Sequence, residues 1–258
     1  MFIDVNGIKM NTVSFGSGEE TFLGISGFVA DWRVWMFVFE HLSKKMRCVG
    51  YDHRGSGESF APADTISKQS YVNDLFSIMD KLGIEKCYLG GESFGGAVAL
   101  LAALQQPERF KGLILIDTNL PNARPIDEDR KQFINYMKSD HQGAIEAFIE
   151  SVMPEPNIEH MKRMGVYMCL RPNVDVAVRV LELVAEGETD YPLHKIKIPT
   201  LIVYGDKDGD YVIENSHYLE KALSDAELVV VKGAGHVPIV TRTQEVVDAI
   251  EKRFFTRT

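Results

Sequence analysis

The chain of 258 residues carries 45% hydrophobic and 25% charged side chains, ordinary usage for a soluble globular protein, which excludes disorder, collagen-like repetition and a disulfide-stapled miniprotein. Its 28 basic side chains against 37 acidic ones give a net charge of −9, which repels phosphate backbones, and no basic stripe offsets it. At roughly 150 residues per domain, the length predicts one or two domains.

The N-terminal stretch Met1-Phe2-Ile3-Asp4-Val5-Asn6-Gly7 lacks the basic flank and apolar run of a secretory signal. No apolar stretch reaches the ~20 residues of a membrane-spanning helix. The expectation is a cytoplasmic protein without a membrane or nucleic-acid partner. Phe2–Val5 and 9–15, separated by Asn6-Gly7, predict an opening β-hairpin, since Asn-Gly favours the type I′ turn. Thr21–Ile25 predicts a third strand, followed by a Gly-containing loop, a helix near 34–42 and a fourth strand at Arg47–Tyr51. Residues 70–82 predict a helix, with Tyr71, Leu75, Ile78, Met79 and Leu82 on one face. A short strand at 87–90 runs into Gly91-Glu92-Ser93-Phe94-Gly95. A small-residue helix over 97–104 and a strand at 113–117 follow.

From about Leu120 to Tyr191 no strand is predicted, only helices over 127–138, 142–152, 158–168 and 174–186, with prolines at the seams. Alternation resumes after Pro199: a strand at 200–204, a helix over 213–223, a strand at 227–231 and a helix over 244–255. This predicts an α/β fold with a mostly parallel eight-stranded sheet, helices on both faces and a helical insertion. The core is placed at residues 1–119 and 193–258, and the insertion at 120–192. The three cysteines, Cys48, Cys87 and Cys169, are odd in number and widely spaced, which fits buried free thiols better than disulfides or a catalytic thiol.

Gly91-Glu92-Ser93-Phe94-Gly95 is a G-x-S-x-G between a strand and a helix, the context of a nucleophile elbow; the alternative is a Gly-rich turn with a bystander serine. A serine hydroxyl needs an imidazole to take its proton. Of the seven histidines, His236 in Gly235-His236-Val237 follows a strand directly, on the sheet edge where α/β folds build sites. The carboxylate that orients the imidazole comes from Tyr204-Gly205-Asp206-Lys207-Asp208-Gly209-Asp210. Asp208 is the choice, with Asp206 and Asp210 as alternatives. Read as a calcium loop from Asp206, this segment puts Tyr211 and His217 where glycine and glutamate are needed, so no metal is expected. The order Ser93…Asp208…His236 is that of the α/β-hydrolases.

On these motifs, and on Asp52-His53-Arg54-Gly55-Ser56-Gly57-Glu58-Ser59, the chain resembles the α/β-hydrolase superfamily, in particular its small, helically capped esterase-like members. The resemblance spans essentially the whole chain. It implies a structural role for His53. Ser26-Gly27-Phe28 followed by Trp35 is similar to the family's oxyanion loop, with Ser26 where histidine is common, and implies the backbone N–H groups of Phe28 and Phe94 as oxyanion donors. It further implies residues 120–192 as a cap over Ser93, with Ser26, Trp35, Met161, Met164 and Met168 as substrate-binding residues; core filler is the alternative for each methionine. The implied function is a cofactor-free serine hydrolase acting on a small carboxylic ester, thioester or lactone, as a monomer or homodimer. A hydrolase-like small-molecule receptor with slow turnover, a C–C hydrolase and a perhydrolase are the alternatives.

Overall fold

Asn6 and Gly7 both take positive φ (44° and 85°), so the chain reverses tightly between β1 (Phe2–Val5) and β2 (Ile8–Phe15). In this computed structural model, which describes residues 1–122 and 124–256, that hairpin is one edge of an eight-stranded sheet. The other strands are β3 (Thr21–Ile25), β4 (Arg47–Tyr51), β5 (Cys87–Glu92), β6 (Phe110–Ile116), β7 (Thr200–Gly205) and β8 (Ala226–Val231). Their order is β1-β2-β4-β3-β5-β6-β7-β8, with only the β1–β2 and β2–β4 pairs antiparallel. Every residue of β3 and β7 is buried, as befits central parallel strands covered on both faces.

The helices of the core are α1 (Met36–Leu42), α2 (Lys68–Lys81) and α3 (Phe94–Gln105), then, after the segment between β6 and β7, α8 (Asp210–Ala222), α9 (Pro238–Thr241) and α10 (Thr243–Phe254). Helix α1 packs with α9 and α10, α2 packs with α3, and α8 lies on β7 and β8. Between β6 and β7 the chain forms α4 (Glu128–Ser139), α5 (His141–Val152), α6 (Glu159–Cys169) and α7 (Val174–Glu182). Helix α4 packs on α5 and α7, and α5 on α6. The boundaries drawn at 120–192 and 193–258 include Ala123, Arg257 and Thr258, which lie outside the described residues.

Two strands differ from the sequence expectation, β5 running on to Glu92 rather than 90 and β6 spanning Phe110–Ile116 rather than 113–117; the other main differences lie at helix ends, where caps rather than apolar periodicity decide. The helix expected at 34–42 is split: Asp31 caps a 3-10 turn at Trp32–Trp35, and α1 follows. Helix α2 starts two residues early because Ser67 and Ser70 form a reciprocal capping box. The segment expected to stay helical to residue 186 leaves α-geometry after Glu182, in a 3-10 turn at Leu183–Ala185. The short α9 directly after the His236 loop carries too few residues for a periodic signal.

Candidate active site

Strand β5 ends at Glu92, and Ser93 turns the chain into α3 with φ 53° and ψ −119°. Among the described residues, three of the five non-glycine positions with positive φ, Phe28, Ser93 and Asp117, stand at the carboxyl ends of β3, β5 and β6, while Asn6 and Asn157 occupy turns. Such strain gathers where function over-determines the backbone. The turn needs Gly95, because a Cβ there would meet Ile25 O at 2.5 Å. Ser93 Oγ lies 2.8 Å from His236 Nε2, and His236 Nδ1 lies 2.7 Å from Asp208 Oδ2. A carboxylate only accepts, so Nδ1 carries the proton and Nε2 takes the serine O–H. All three residues belong to loops at the same sheet edge, after β5, β7 and β8.

Of the three carboxylates left open by the sequence, the structure brings Asp208 to His236. Asp206 instead accepts the Gly233 N–H at 2.6 Å, and Asp210 begins α8. Burial pushes the His236 imidazole down, but the hydrogen bond and charge of Asp208, with the charge of Glu92, outweigh it and set the net shift upward. Burial likewise raises Asp208, and its bonds to His236 and Gly209 reverse the sign.

The N–H groups of Phe28 and Phe94 have no protein acceptor among the described residues, and both residues line one cavity with Ser93. Ser26 and Trp35 correct the sequence expectation. Ser26 is fully buried and donates its hydroxyl to Asp31 O at 2.8 Å, bracing the loop from within. Its carbonyl accepts from His53 Nε2 at 2.8 Å, so His53 is structural. Trp35 is also fully buried, lying against Gly24, where an added Cβ would come within 2.7 Å of the indole. Neither residue lines either cavity at Ser93, because Ser26 is spent within its own loop and Trp35 within the packing against Gly24.

Two cavities meet at Ser93, Phe28 and His236. The narrower, about 50 Å³, is lined by Met161, Met164 and Met168 together with Val34 and Phe148. Cys169 also borders it, but burial pushes that thiol up to about 12, so it supplies no thiolate near neutrality. The wider, about 700 Å³, runs beneath α4 and α7. The segment between β6 and β7 also holds the histidine loop: His236 N–H donates to Val152 O at 2.8 Å, and Gly235 N–H to Glu155 Oε1 at 2.9 Å.

Two carboxyls at the site escaped the sequence reading. Glu92 is buried, accepts the Gly27 N–H on Oε2 at 2.7 Å, and places Oε1 3.9 Å from His236 Nε2. Burial pushes it up to about 7 against the pull of His236 and Gly27. Its only sequence signal is an acid directly before the nucleophile. Asp117 follows β6, fully buried; its Oδ1 accepts the Gly205 N–H at 3.1 Å and its Oδ2 has no partner among the described residues. Burial, reinforced by the charge of Asp208, raises it well above the usual carboxylate range. Ligand atoms of Asp117, Asp208 and His236 lie within 4.8 Å of one another. The 2.7 Å between His236 Nδ1 and Asp208 Oδ2 is a hydrogen-bond distance, shorter than the roughly 3.3 Å between neighbouring ligand atoms of a tetrahedral ion, so the trio fits a proton better than a metal.

Residues 20–154 match the family model described as alpha/beta hydrolase fold. The chain is 24% identical to karrikin insensitive 2 receptor CA of Petunia hybrida, over 93% of each protein. It superposes on an esterase from Exiguobacterium antarcticum with a TM-score of 0.90 at 21% identity, over 97% of both chains. It superposes on a thermophilic esterase from Thermogutta terrifontis with a TM-score of 0.87 at 26% identity, covering 98% of this chain and 96% of that one. With the eight-stranded sheet and the Ser93–His236–Asp208 geometry in place, the chain belongs to the alpha/beta hydrolase family.

Proposed function

We propose that the protein is a serine hydrolase of small carboxylic esters, and that residues 120–192 act as its cap. The observation that carries this reading is the continuous hydrogen-bonded line from Ser93 Oγ through His236 to Asp208, opening where two cavities meet. Ser93 Oγ attacks the ester carbonyl while His236 Nε2 takes its proton, and Asp208 holds the imidazolium that results. The N–H groups of Phe28 and Phe94 stabilise the oxyanion. His236 returns the proton to the departing alcohol, leaving an acyl-Ser93. Water, deprotonated by the same imidazole, then releases the acid. No step calls for a cofactor.

The test is an ester panel of varied acyl length, run on wild type and Ser93→Ala, alongside labelling by a fluorophosphonate. Covalent addition at Ser93 and loss of turnover in the variant support the reading; labelling elsewhere, or full activity in Ser93→Ala, rejects it. A second reading, a small-molecule receptor with slow turnover, is favoured by the similarity to the Petunia hybrida receptor. Steady multiple turnover of simple esters argues against it, and a single slow turnover argues for it.

A further inference from the structure

The wider cavity carries a feature the proposed ester chemistry does not use. Lys68, Arg124 and Arg130 share its lining, in a protein of net charge −9. They stand near enough for Arg124 to press electrostatically on both of the others. Among the described residues, none of the three lies within 4.0 Å of a carboxylate oxygen.

Their hydrogen bonding is also incomplete. Lys68 is buried and spends two of its three N–H donors on Pro121 O (2.7 Å) and Glu186 O (2.8 Å). The Arg124 guanidinium carbon sits over the Tyr211 ring, 3.8 Å from its centre, and the side chain makes no hydrogen bond among the described residues. Among the described residues the Arg130 side chain reaches only Leu181 O, at 3.4 Å. Burial draws Lys68 down to about 8, with repulsion from Arg124 working against the pull of the Glu186 charge, and burial and Arg124 lower Arg130 against the pull of Asp127. Lys68 is buried and both arginines are partly buried, and cations withdrawn from water with spare donors are costly unless an anion completes them.

We propose that Lys68, Arg124 and Arg130 form an anion subsite, so that the favoured substrate carries a carboxylate on the part that occupies the wider cavity. The inference rests on the proposed role of Ser93 for what is cleaved, but not for what is bound. Arg124 suits a carboxylate because its guanidinium, resting over the Tyr211 ring, has two parallel N–H groups to offer a planar anion. A monoanion fits better than a dianion, since the exposed Asp127 and Asp129 border the same cavity, with Asp127 engaged at the Arg130 N–H (2.8 Å). The narrower, methionine-lined cavity takes the uncharged end. The substrate is then bipartite: a short apolar group on one side of the scissile bond, and a carboxylate-bearing group on the other.

Two measurements test this separately from the hydrolase reading. The first compares kcat/KM for matched pairs that differ only in a carboxylate: monoethyl glutarate against ethyl pentanoate, and 4-carboxyphenyl butyrate against 4-acetylphenyl butyrate. The charged member of at least one pair should lead by tenfold or more, and the pair that shows it tells which side of the ester faces the cations. In Arg124→Gln and Arg130→Gln that ratio should fall toward one. Preference for the neutral member in both pairs, or a charge preference unchanged in both variants, overturns the proposal. The second titrates monoethyl glutarate, a monoanion, into Ser93→Ala by calorimetry, which needs no turnover. Saturable binding, weakened at least tenfold in Arg130→Gln and by added salt, supports the subsite even if no ester is cleaved; absence of binding in the parent protein overturns it.

Discussion

Gly27 donates its backbone N–H to Glu92 Oε2 across 2.7 Å, tying the loop that carries Phe28 to the residue directly before Ser93. The same carboxyl group reaches toward His236, with Oε1 at 3.9 Å from Nε2. One buried acid therefore braces the proposed oxyanion loop and adds negative charge beside the proposed base.

The two tasks separate by mutation. Gln at position 92 keeps an acceptor for Gly27 and removes the charge that helps raise His236. Neutral His236 is the active form, so the acid limb of kcat/KM in wild type should lie above pH 6.5. In Glu92→Gln the imidazole loses its proton more readily, and the limb should move to lower pH. The plateau should fall severalfold, since the developing imidazolium loses a stabilising charge. Glu92→Ala also frees the Gly27 N–H, and should cost about a further tenfold in kcat, near 1.4 kcal/mol. Full pH profiles of the three proteins check this; coincident acid limbs contradict it.

Asp208 and Asp206 sit two residues apart with different partners, His236 for one and the Gly233 N–H for the other. Asp208→Asn should lower kcat by about 10³–10⁴-fold with a near-native melting temperature. Asp206→Asn should show the opposite balance, with a lower Tm and a kcat within about threefold of wild type. Paired kinetics and thermal melts decide between them.

Asp117 gives a prediction about stability. Its carboxyl holds a proton in the folded protein well above the ordinary value of 3.8, so unfolding above that pH releases a proton. Stability contributed at this site is intact below pH 3.8 and declines as pH rises toward the folded-state value. Asp117→Asn keeps an acceptor for the Gly205 N–H and does not titrate, and asparagine tolerates the positive φ of 44°. The variant should gain on wild type between pH 5 and pH 8 in urea unfolding. Asp117→Ala, which strands the Gly205 N–H, should lose about 1–3 kcal/mol. Equal differences at both pH values for Asp117→Asn reject the protonated carboxyl.

Met161, Met164 and Met168 border a cavity of only about 50 Å³. A polar replacement such as Met164→Gln should lower kcat/KM for apolar acyl or alkyl groups relative to the smallest ones, while fluorophosphonate still labels Ser93. An unchanged ranking across Gln variants of all three would make the methionines packing material.

The strands β3 and β4 match their sequence-derived bounds because their burial pattern follows from composition alone. Ser93, Asp208 and His236 were legible because each ends or follows a strand within a short local motif. Glu92 and Asp117 were not, since their environment depends on strand order: β6 lies between β5 and β7, which brings Asp117 beside Asp208 across long stretches of chain. Ser26 and Trp35 misled for the related reason that a motif position does not reveal which side of its loop a side chain occupies. The cationic wall was equally hidden, because Lys68 comes from α2 while Arg124 and Arg130 belong to the inserted segment.

The hydrogen bonds from His236 N–H to Val152 O and from Gly235 N–H to Glu155 bind the histidine loop to the very segment whose helices line the cavities. Thr241 adds its hydroxyl to the same Glu155 oxygen at 2.7 Å. A chimera carrying a relative's insertion therefore inherits a different anchorage for its base as well as a different pocket. Exchange of substrate range by swapping this region should require residues 152–155 to travel with a compatible loop at 235–241, as one heritable unit rather than two interchangeable parts.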